Sequence, residues 1–340
     1  IKQIKKCLMN LRYGDFGMND NEIINIVVAS DDNYVPHLMT LIESIGANNR
    51  QVNSILIHVF DGGMTSEAKR RIDNMKKNFN NISFQFYKMT EKIIREKLGG
   101  GIQADRSLSA YARIFIPELI KSDKVLYFDV DAIVLNDLRE LYQIDISEMA
   151  IAGVVDTNPI QRHHNVGLND NDVYINSGMI LWNIRKCREI QFTKQCLDFI
   201  SNRQGKVDAM DQGTINGVLG KIGMIQVLPP QYNVMTSLFQ LRKSDILRLY
   251  RLPDYYSDDE IFYAKEHPVF VHFTPNMTTR PWEQHCTHPF RDMYWKYRLE
   301  GMGEEKVLSN DNRTLKLRIL GWIYRKLPIG VYCMITGLRR

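Results

Sequence analysis

Long hydrophobic runs are missing from this chain of 340 residues. No stretch of eighteen or more apolar residues occurs, so no bilayer-spanning helix is expected. The opening IKQIKKCLMNLRYGDF holds only a short, interrupted apolar element and does not read as a secretory leader. It also lacks an initiator methionine, so residue 1 is expected not to be the natural start. Cysteine is scarce: Cys7, Cys187, Cys196, Cys286 and Cys333 are odd in number and widely scattered. That argues against a disulfide framework and for reduced thiols in a cytoplasmic setting. The dense group His285-Cys286-Thr287-His288 has no second ligand pair at zinc-site spacing and reads as loop. Gly99-Gly100-Gly101 is not followed by Lys-Ser/Thr, so it is a hinge or loop and not a phosphate cradle. The body lacks positive charge as well. Residues 311–340 hold seven basic residues against one acid, which leaves −1 of the net +5 for residues 1–310. Nucleic acid is therefore not an expected partner.

With 44% apolar and 24% charged residues, the composition is that of a soluble globular protein with a large core. After a polar lead-in over residues 1–22, Ile23–Ser30 is a near-continuous apolar run, the pattern of a parallel strand covered on both faces. Pro36–Ala47 reads as a helix, Ser54–Phe60 as a strand, Ser66–Phe79 as a helix and Ile82–Tyr87 as a strand. Such alternation predicts βαβ units and an α/β fold with a mostly parallel sheet. Ser107–Phe115 reads as helical, Met149–Val155 as a strand, and the polar residues 157–173 as a mobile loop. Val173–Trp182 is a strand interrupted by Asn176-Ser177-Gly178, where the backbone must approach something closely. A helix is expected to about Ser201, another opening at Met210, and short strands at Met224–Leu228 and Val269–Phe273.

The central stretch is Lys124–Leu135. An apolar strand ends there in Asp129-Val130-Asp131, two carboxylates one residue apart. On extended chain they point the same way and repel unless a cation or polar ligand lies between them. Mg²⁺ and Mn²⁺ prefer such oxygens and leave positions open for phosphates. A solvated strand end with Asp131 as a helix cap explains the pair equally well on these residues alone. Asp31-Asp32-Asn33, however, also follows a strand of the same sheet, and ligands in such folds bind beyond the carboxyl ends of the strands. For Asp211 an N-cap role, and for the lone strand histidine His272 a core role, are the plain alternatives.

Taken in order, Ala29-Ser30-Asp31-Asp32-Asn33-Tyr34, Tyr111-Ala112-Arg113, Leu126-Tyr127-Phe128-Asp129-Val130-Asp131, Asn176-Ser177-Gly178, Asp211-Gln212, and His272-Phe273 with Arg280-Pro281-Trp282 resemble the retaining glycosyltransferases of family 8. That family includes bacterial lipopolysaccharide galactosyl- and glucosyltransferases and glycogenin. The resemblance covers residues 23–300. It implies a Rossmann-like GT-A fold over residues 23–305, with a mixed, mostly parallel sheet flanked by helices and a basic helical tail over 306–340. It implies a UDP-sugar donor and Mn²⁺ (or Mg²⁺) held by Asp129, Asp131 and His272. Ala29, Ser30, Asp31 and Asn33 would contact uracil and ribose, with Val130 among the nucleotide-side positions, while Arg280 would clamp the diphosphate. Arg113, Asp156, Asn176 and Asp211 would hold the donor sugar. Gln212 would lie near the anomeric carbon on the side away from UDP, so Gln212, Asp211 and Asp156 are the candidate catalytic group. The residue at the position of a nucleophile is an amide, which disfavours a covalent intermediate. The acceptor would be a glycan, glycolipid or glycoprotein.

The tail, Leu315–Leu327 with Val331–Leu338 beyond it, mixes basic, aromatic and aliphatic residues. On a helix it presents one apolar and one cationic face, as interfacial segments do. A helix packed on the body is the other reading. With a lipid-linked acceptor, the tail is expected to place the protein on the inner face of the plasma membrane. Two other functions compete. A haloacid-dehalogenase-type phosphatase would use Asp129 as nucleophile and Asp131 as acid, but its motif opens the domain and continues with Gly-Thr. A non-catalytic nucleotide-sugar-binding module would bind UDP without turnover.

Overall fold

The computed structural model describes residues 23–99, 108–275, 278–303 and 307–336. The lead-in over 1–22, Gly100 and Gly101 of the glycine hinge, and the boundary at 305/306 lie outside the described residues. Ten strands are described. The first five are β1 (Ile23–Ser30), β2 (Ser54–Asp61), β3 (Ile82–Lys88), β4 (Lys124–Phe128) and β5 (Ala132–Val134). β6 (Ile151–Val155), β7 (Ile175–Asn183), β8 (Ile225–Val227), β9 (Val234–Met235) and β10 (Phe270–His272) follow.

Seven strands form one sheet in the order β3-β2-β1-β4-β7-β6-β8. Every neighbouring pair is parallel except the two that involve β7. The strands inside the sheet are buried on both faces, which is why β1, β4, β6 and β7 read as near-continuous apolar runs, whereas edge strand β3 is partly exposed. In β1, Ile24, Ile26 and Val28 enter one core and Val27 the other. In β4 the split is Leu126 and Phe128 against Val125 and Tyr127, and in β7 Met179 and Leu181 against Ile180 and Trp182. Helix Val35–Asn48 covers the first face and packs on helix Arg291–Met302. The sheet is mostly parallel, as the strand and helix periods predict, and mixed through β7, as the resemblance implies.

A second sheet, β5-β10-β9, was not foreseen beyond the β10 strand. β5 and β9 have only three and two residues, too few to show a period. The small sheet meets the large one where Phe128 stacks on Phe270, with ring centres 4.7 Å apart. Other expectations shift locally. Leu108–Phe115 is a 3₁₀ helix, and the predicted loop over 157–173 contains helix Ile160–Asn165. The long helix to Ser201 is two, Ile184–Glu189 and Phe192–Asn202, broken at Gln191 with φ +53°. Between β8 and β10 lie helices Thr236–Gln240, Lys243–Tyr250 and Asp258–Glu266. Cys187, Cys196, Cys286 and Cys333 are buried free thiols.

The tail forms helices Leu315–Lys326 and Ile329–Ile335. Tyr324, Ile329, Tyr332 and Cys333 join the body core beside Ile246 and Leu249. Asp311, almost fully buried, ion-pairs with Arg313 at 2.9 Å and Arg318 at 3.4 Å. The tail is thus packed on the body, while Leu315, Ile319 and Trp322 stay 74%, 51% and 55% exposed. No helix among the described residues is long and apolar enough to cross a membrane.

Candidate active site

The chain leaves the large sheet after Phe128 and enters the small sheet at Ala132, so Asp129, Val130 and Asp131 form the link between them. Both ends of the link are pinned. The Asp129 amide donates to the Gly178 carbonyl at 2.8 Å, and the Phe273 amide donates to the Asp131 carbonyl at 2.9 Å. Antiparallel pairing then sets His272 opposite Ala132. Register alone therefore carries His272 to the aspartates from 141 residues away in sequence. One ligand atom from each of Asp129, Asp131 and His272 lies within 4.8 Å of the others. His272 Nε2 is 3.1 Å from Asp131 Oδ1 and 3.9 Å from Asp129 Oδ2.

The tautomer of His272 follows from its neighbours. Asn176 Oδ1 accepts from the Gly178 backbone amide at 3.0 Å, which fixes that side chain's orientation. It also accepts from Asn233 Nδ2 at 3.0 Å. His272 Nδ1, 3.2 Å from the same oxygen, must then be a donor. In the neutral ring this turns the Nε2 lone pair toward two carboxylates, an arrangement that repels unless a proton or a cation sits between them. Burial disfavours charge on His272, but the adjacent Asp131 carboxylate outweighs it and raises the pKa above the ordinary value. Burial likewise disfavours charge on Asp131, yet His272 and Arg280 hold it well below the usual carboxylate range. Two carboxylate oxygens and an imidazole nitrogen, locked by a second ring of hydrogen bonds, fit a hard or borderline divalent ion.

Gly178 makes the close approach that the Asn176-Ser177-Gly178 interruption implies. A Cβ there would lie 2.1 Å from His272 Cε1 and 2.4 Å from its Nδ1. No side chain fits that gap.

Arg113, only 5% exposed, connects the Asp129, Asp131 and His272 cluster to Asp211. Its Nη2 donates to Asp129 Oδ1 at 2.9 Å, its Nη1 to the Ser177 carbonyl at 2.6 Å, and its Nε to the Ala110 carbonyl at 3.2 Å. The guanidinium lies 4.3 Å from the Tyr127 ring centre, and Tyr127 donates its hydroxyl to Asp129 Oδ1 at 2.9 Å. Asp211 Oδ2 is 2.9 Å from Arg113 Nε, yet it accepts no hydrogen bond because that N–H points at Ala110. Burial, reinforced by the charge of Asp129, pushes the Asp211 carboxyl up to about 6 despite Arg113. A buried carboxylate oxygen without a donor is suited to take one from a ligand hydroxyl.

Gln212 and Asp156 form a tight pair. Gln212 Nε2 donates to Asp156 Oδ2 at 2.8 Å, and its Oε1 accepts from the Ser177 amide at 3.0 Å. Asn176 Nδ2 reaches both groups, at 3.3 Å to Asp156 and 3.4 Å to Gln212. The backbone that delivers Asp211 and Gln212 is unusual. Ala209 and Met210 both have positive φ, +57° and +52°, and a Cβ on Gly213 would lie 1.8 Å from the Asp208 carbonyl. Two consecutive left-handed residues cost of order 1–3 kcal/mol each and persist where the surroundings impose them.

At the end of β1, Asp31 serves as a turn cap: its Oδ1 accepts from the Asn33 and Tyr34 amides at 3.0 and 3.2 Å. Ser30 is buried, Ala29 half-buried and Asn33 exposed. Val28 pairs with Phe128 in parallel register, so this turn leaves the sheet at the same edge as Asp129, Val130 and Asp131. Arg280 Nη2 lies 3.0 Å from Asp131 Oδ2, and its Nε donates to the Phe273 carbonyl at 3.3 Å. Three contributors were missed from sequence. Tyr127 shares strand parity with Asp129 and could have been found from that. Gly178 was seen only as a close approach of unknown object, and Asn233, in an aperiodic Pro-rich stretch, left no signal.

Against known proteins, residues 25–286 match the model of glycosyl transferase family 8. General stress protein A of Bacillus subtilis is 28% identical over 82% of this chain and 94% of its own. Lipopolysaccharide 1,2-glucosyltransferase of Escherichia coli is 24% identical over 83% of this chain and 79% of its own. Among solved structures, the galactosyltransferase LgtC in complex with donor and acceptor sugar analogues superposes with a TM-score of 0.66 at 22% identity. The superposition covers 82% of this chain and 96% of LgtC. The bifunctional glycosyltransferase WbbM also gives 0.66, at 20% identity over 84% of this chain and 51% of its own. The fold is therefore GT-A, and the chain belongs to glycosyl transferase family 8.

Proposed function

We propose that this glycosyltransferase moves a hexose from a UDP-sugar to a hydroxyl of a bacterial cell-surface glycan or lipid-linked acceptor and forms an α-linkage with retention. Galactose is the favoured donor sugar and glucose the next. The observation that carries this reading is the Asp129, Asp131 and His272 cluster, joined through Arg113 to Asp211 at one edge of the sheet. Mn²⁺ held there would neutralise charge that builds on the departing diphosphate, and the imidazole shifts preference away from Mg²⁺. The chain's own groups do the rest. Ala29, Ser30, Asp31, Asn33 and Val130 would border the nucleoside, and Arg280 would shift from Asp131 toward the phosphates. Arg113 would steady Asp129 and Asp211, and the free Asp211 oxygen would accept a sugar hydroxyl.

Gln212, an amide already engaged on both ends, is a poor nucleophile. The acceptor hydroxyl is therefore taken to attack on the face that UDP leaves. The anomeric C–O bond to phosphate breaks, the new C–O bond forms on the same side, and the proton passes to the leaving phosphate oxygen. A covalent glycosyl adduct trapped on Asp211 would contradict this route. The tail's exposed apolar residues and local positive charge support seating on an anionic inner leaflet.

A panel of UDP-sugars assayed for UDP release with and without Mn²⁺ tests the function. Metal-dependent release from UDP-galactose or UDP-glucose is expected. Release of phosphate from a phosphomonoester would instead favour the phosphatase, and UDP binding without turnover of any donor would favour the binding module.

A further inference from the structure

Asp156 and Gln212 do not stand alone: a second layer of side chains closes a ring around them. Asn158 Nδ2 donates to Asp156 Oδ2 at 2.8 Å. Asn158 Oδ1 faces His163 Nε2 at 3.2 Å. Because the Asn158 nitrogen end is committed to a carboxylate, its oxygen end must accept, so His163 carries its hydrogen on Nε2. His163 stacks on Tyr174, with ring centres 4.6 Å apart and planes 14° apart. The Tyr174 hydroxyl in turn lies 3.5 Å from Gln212 Nε2. Asn158, His163 and Tyr174 are all buried.

The same segment also holds the turn that delivers Gln212. Asn165 Nδ2 donates to Asp208 Oδ2 at 2.8 Å, and Arg162 lies 3.7 Å from Asp208 Oδ1. Asp208 immediately precedes the two left-handed residues Ala209 and Met210. Residues 156–165 thus fix both the side chain of Gln212 and the backbone on which it sits.

We propose that Asn158 and His163 are positioning residues for the transfer reaction, acting through Asp156 to hold the Gln212 amide in one orientation. This rests on the proposed function above. The reason for a histidine at the outer link is physical. An asparagine is nearly symmetric in shape, and if Asn158 flipped, its oxygen would meet the Asp156 carboxylate. The Asp156 carboxylate sets which end of Asn158 faces it, and the His163 N–H gives the oxygen end its donor, so that the asparagine is held from both sides. With that lock, Asp156 keeps two side-chain donors on Oδ2, and Gln212 keeps its nitrogen toward Asp156 and its oxygen toward the Ser177 amide. Without it, the amide beside the anomeric carbon can turn.

His163→Phe keeps the stack on Tyr174 and removes the donor, and Asn158→Leu keeps the volume and removes both polar ends. Each is expected to lower kcat for UDP-sugar turnover about tenfold, with KM for the donor changed less than about twofold. Because both act through one link, the double variant should lose no more than either single one. Unchanged kcat in the single variants, or losses that multiply in the double, would overturn the proposal. So would a fall in thermal midpoint with kcat intact, since that marks a merely structural role. A readout without substrate completes the test: His163→Phe should speed hydrogen exchange of the Gln212 side-chain amide, and an unchanged rate counts against the proposal. Absence of turnover in the unsubstituted protein would remove the proposed function instead, and the amide exchange would still decide the ring.

Discussion

At the scale of single residues, the sharpest constraint is the absence of a side chain at Gly178. His272 Cε1 occupies the place of its Cβ, so His272 and the Asn176-Ser177-Gly178 strand start are built around each other. Gly178→Ala must displace the imidazole or the strand. The loss should appear in Mn²⁺ affinity and metal-dependent turnover, each falling about a hundredfold. Calorimetric titration with Mn²⁺ measures the first directly, and affinity equal to the unsubstituted protein would show that His272 is not a ligand. Asp129, Asp131, Asp211 and His272 were all legible as residue types in their motifs. Their partners were not, because an orientation such as that of Asn176 is set by Gly178, Asn233 and His272 from three separate elements.

At the scale of elements, strands buried on both faces announced themselves and short ones did not. β1, β4 and β7 alternate between two cores and leave an unbroken apolar run. β5 and β9 exist because β10 lies between them, a long-range pairing with no local pattern. The tail forms the expected helix, and its inner face packs on the body core, as the second of the two readings had it. Leu315, Ile319 and Trp322, spaced by four and three residues on one helix face, are exposed and are the residues proposed to meet a membrane. Ile319→Ser with Trp322→Ser should cut binding to phosphatidylserine-containing vesicles about tenfold or more, since each buried apolar side chain contributes about 1.5–3 kcal/mol. Sedimentation with vesicles reads this, and equal binding would mean the tail serves only the body.

At the scale of the whole molecule, two sheets of unequal size meet at a three-residue link, and the Asp129, Asp131 and His272 cluster forms there. The large, mostly parallel sheet presents the ends of β1, β4 and β6 and the start of the antiparallel β7 along one edge. The small sheet brings His272 back from late in the chain. Sequence order could suggest that Asp31, Asp129 and Asp156 share an edge, because all follow strands of one alternating series. It could not supply the β5–β10 register that completes the cluster. This junction is proposed to hold a divalent ion needed for sugar transfer. Asp131→Asn, which keeps the side chain's shape and removes its charge, tests it in the UDP-release assay with and without Mn²⁺. Turnover is expected to fall about a hundredfold or more and no longer to respond to Mn²⁺, with the circular dichroism spectrum unchanged. Turnover that stays Mn²⁺-dependent at the level of the unsubstituted protein would contradict it.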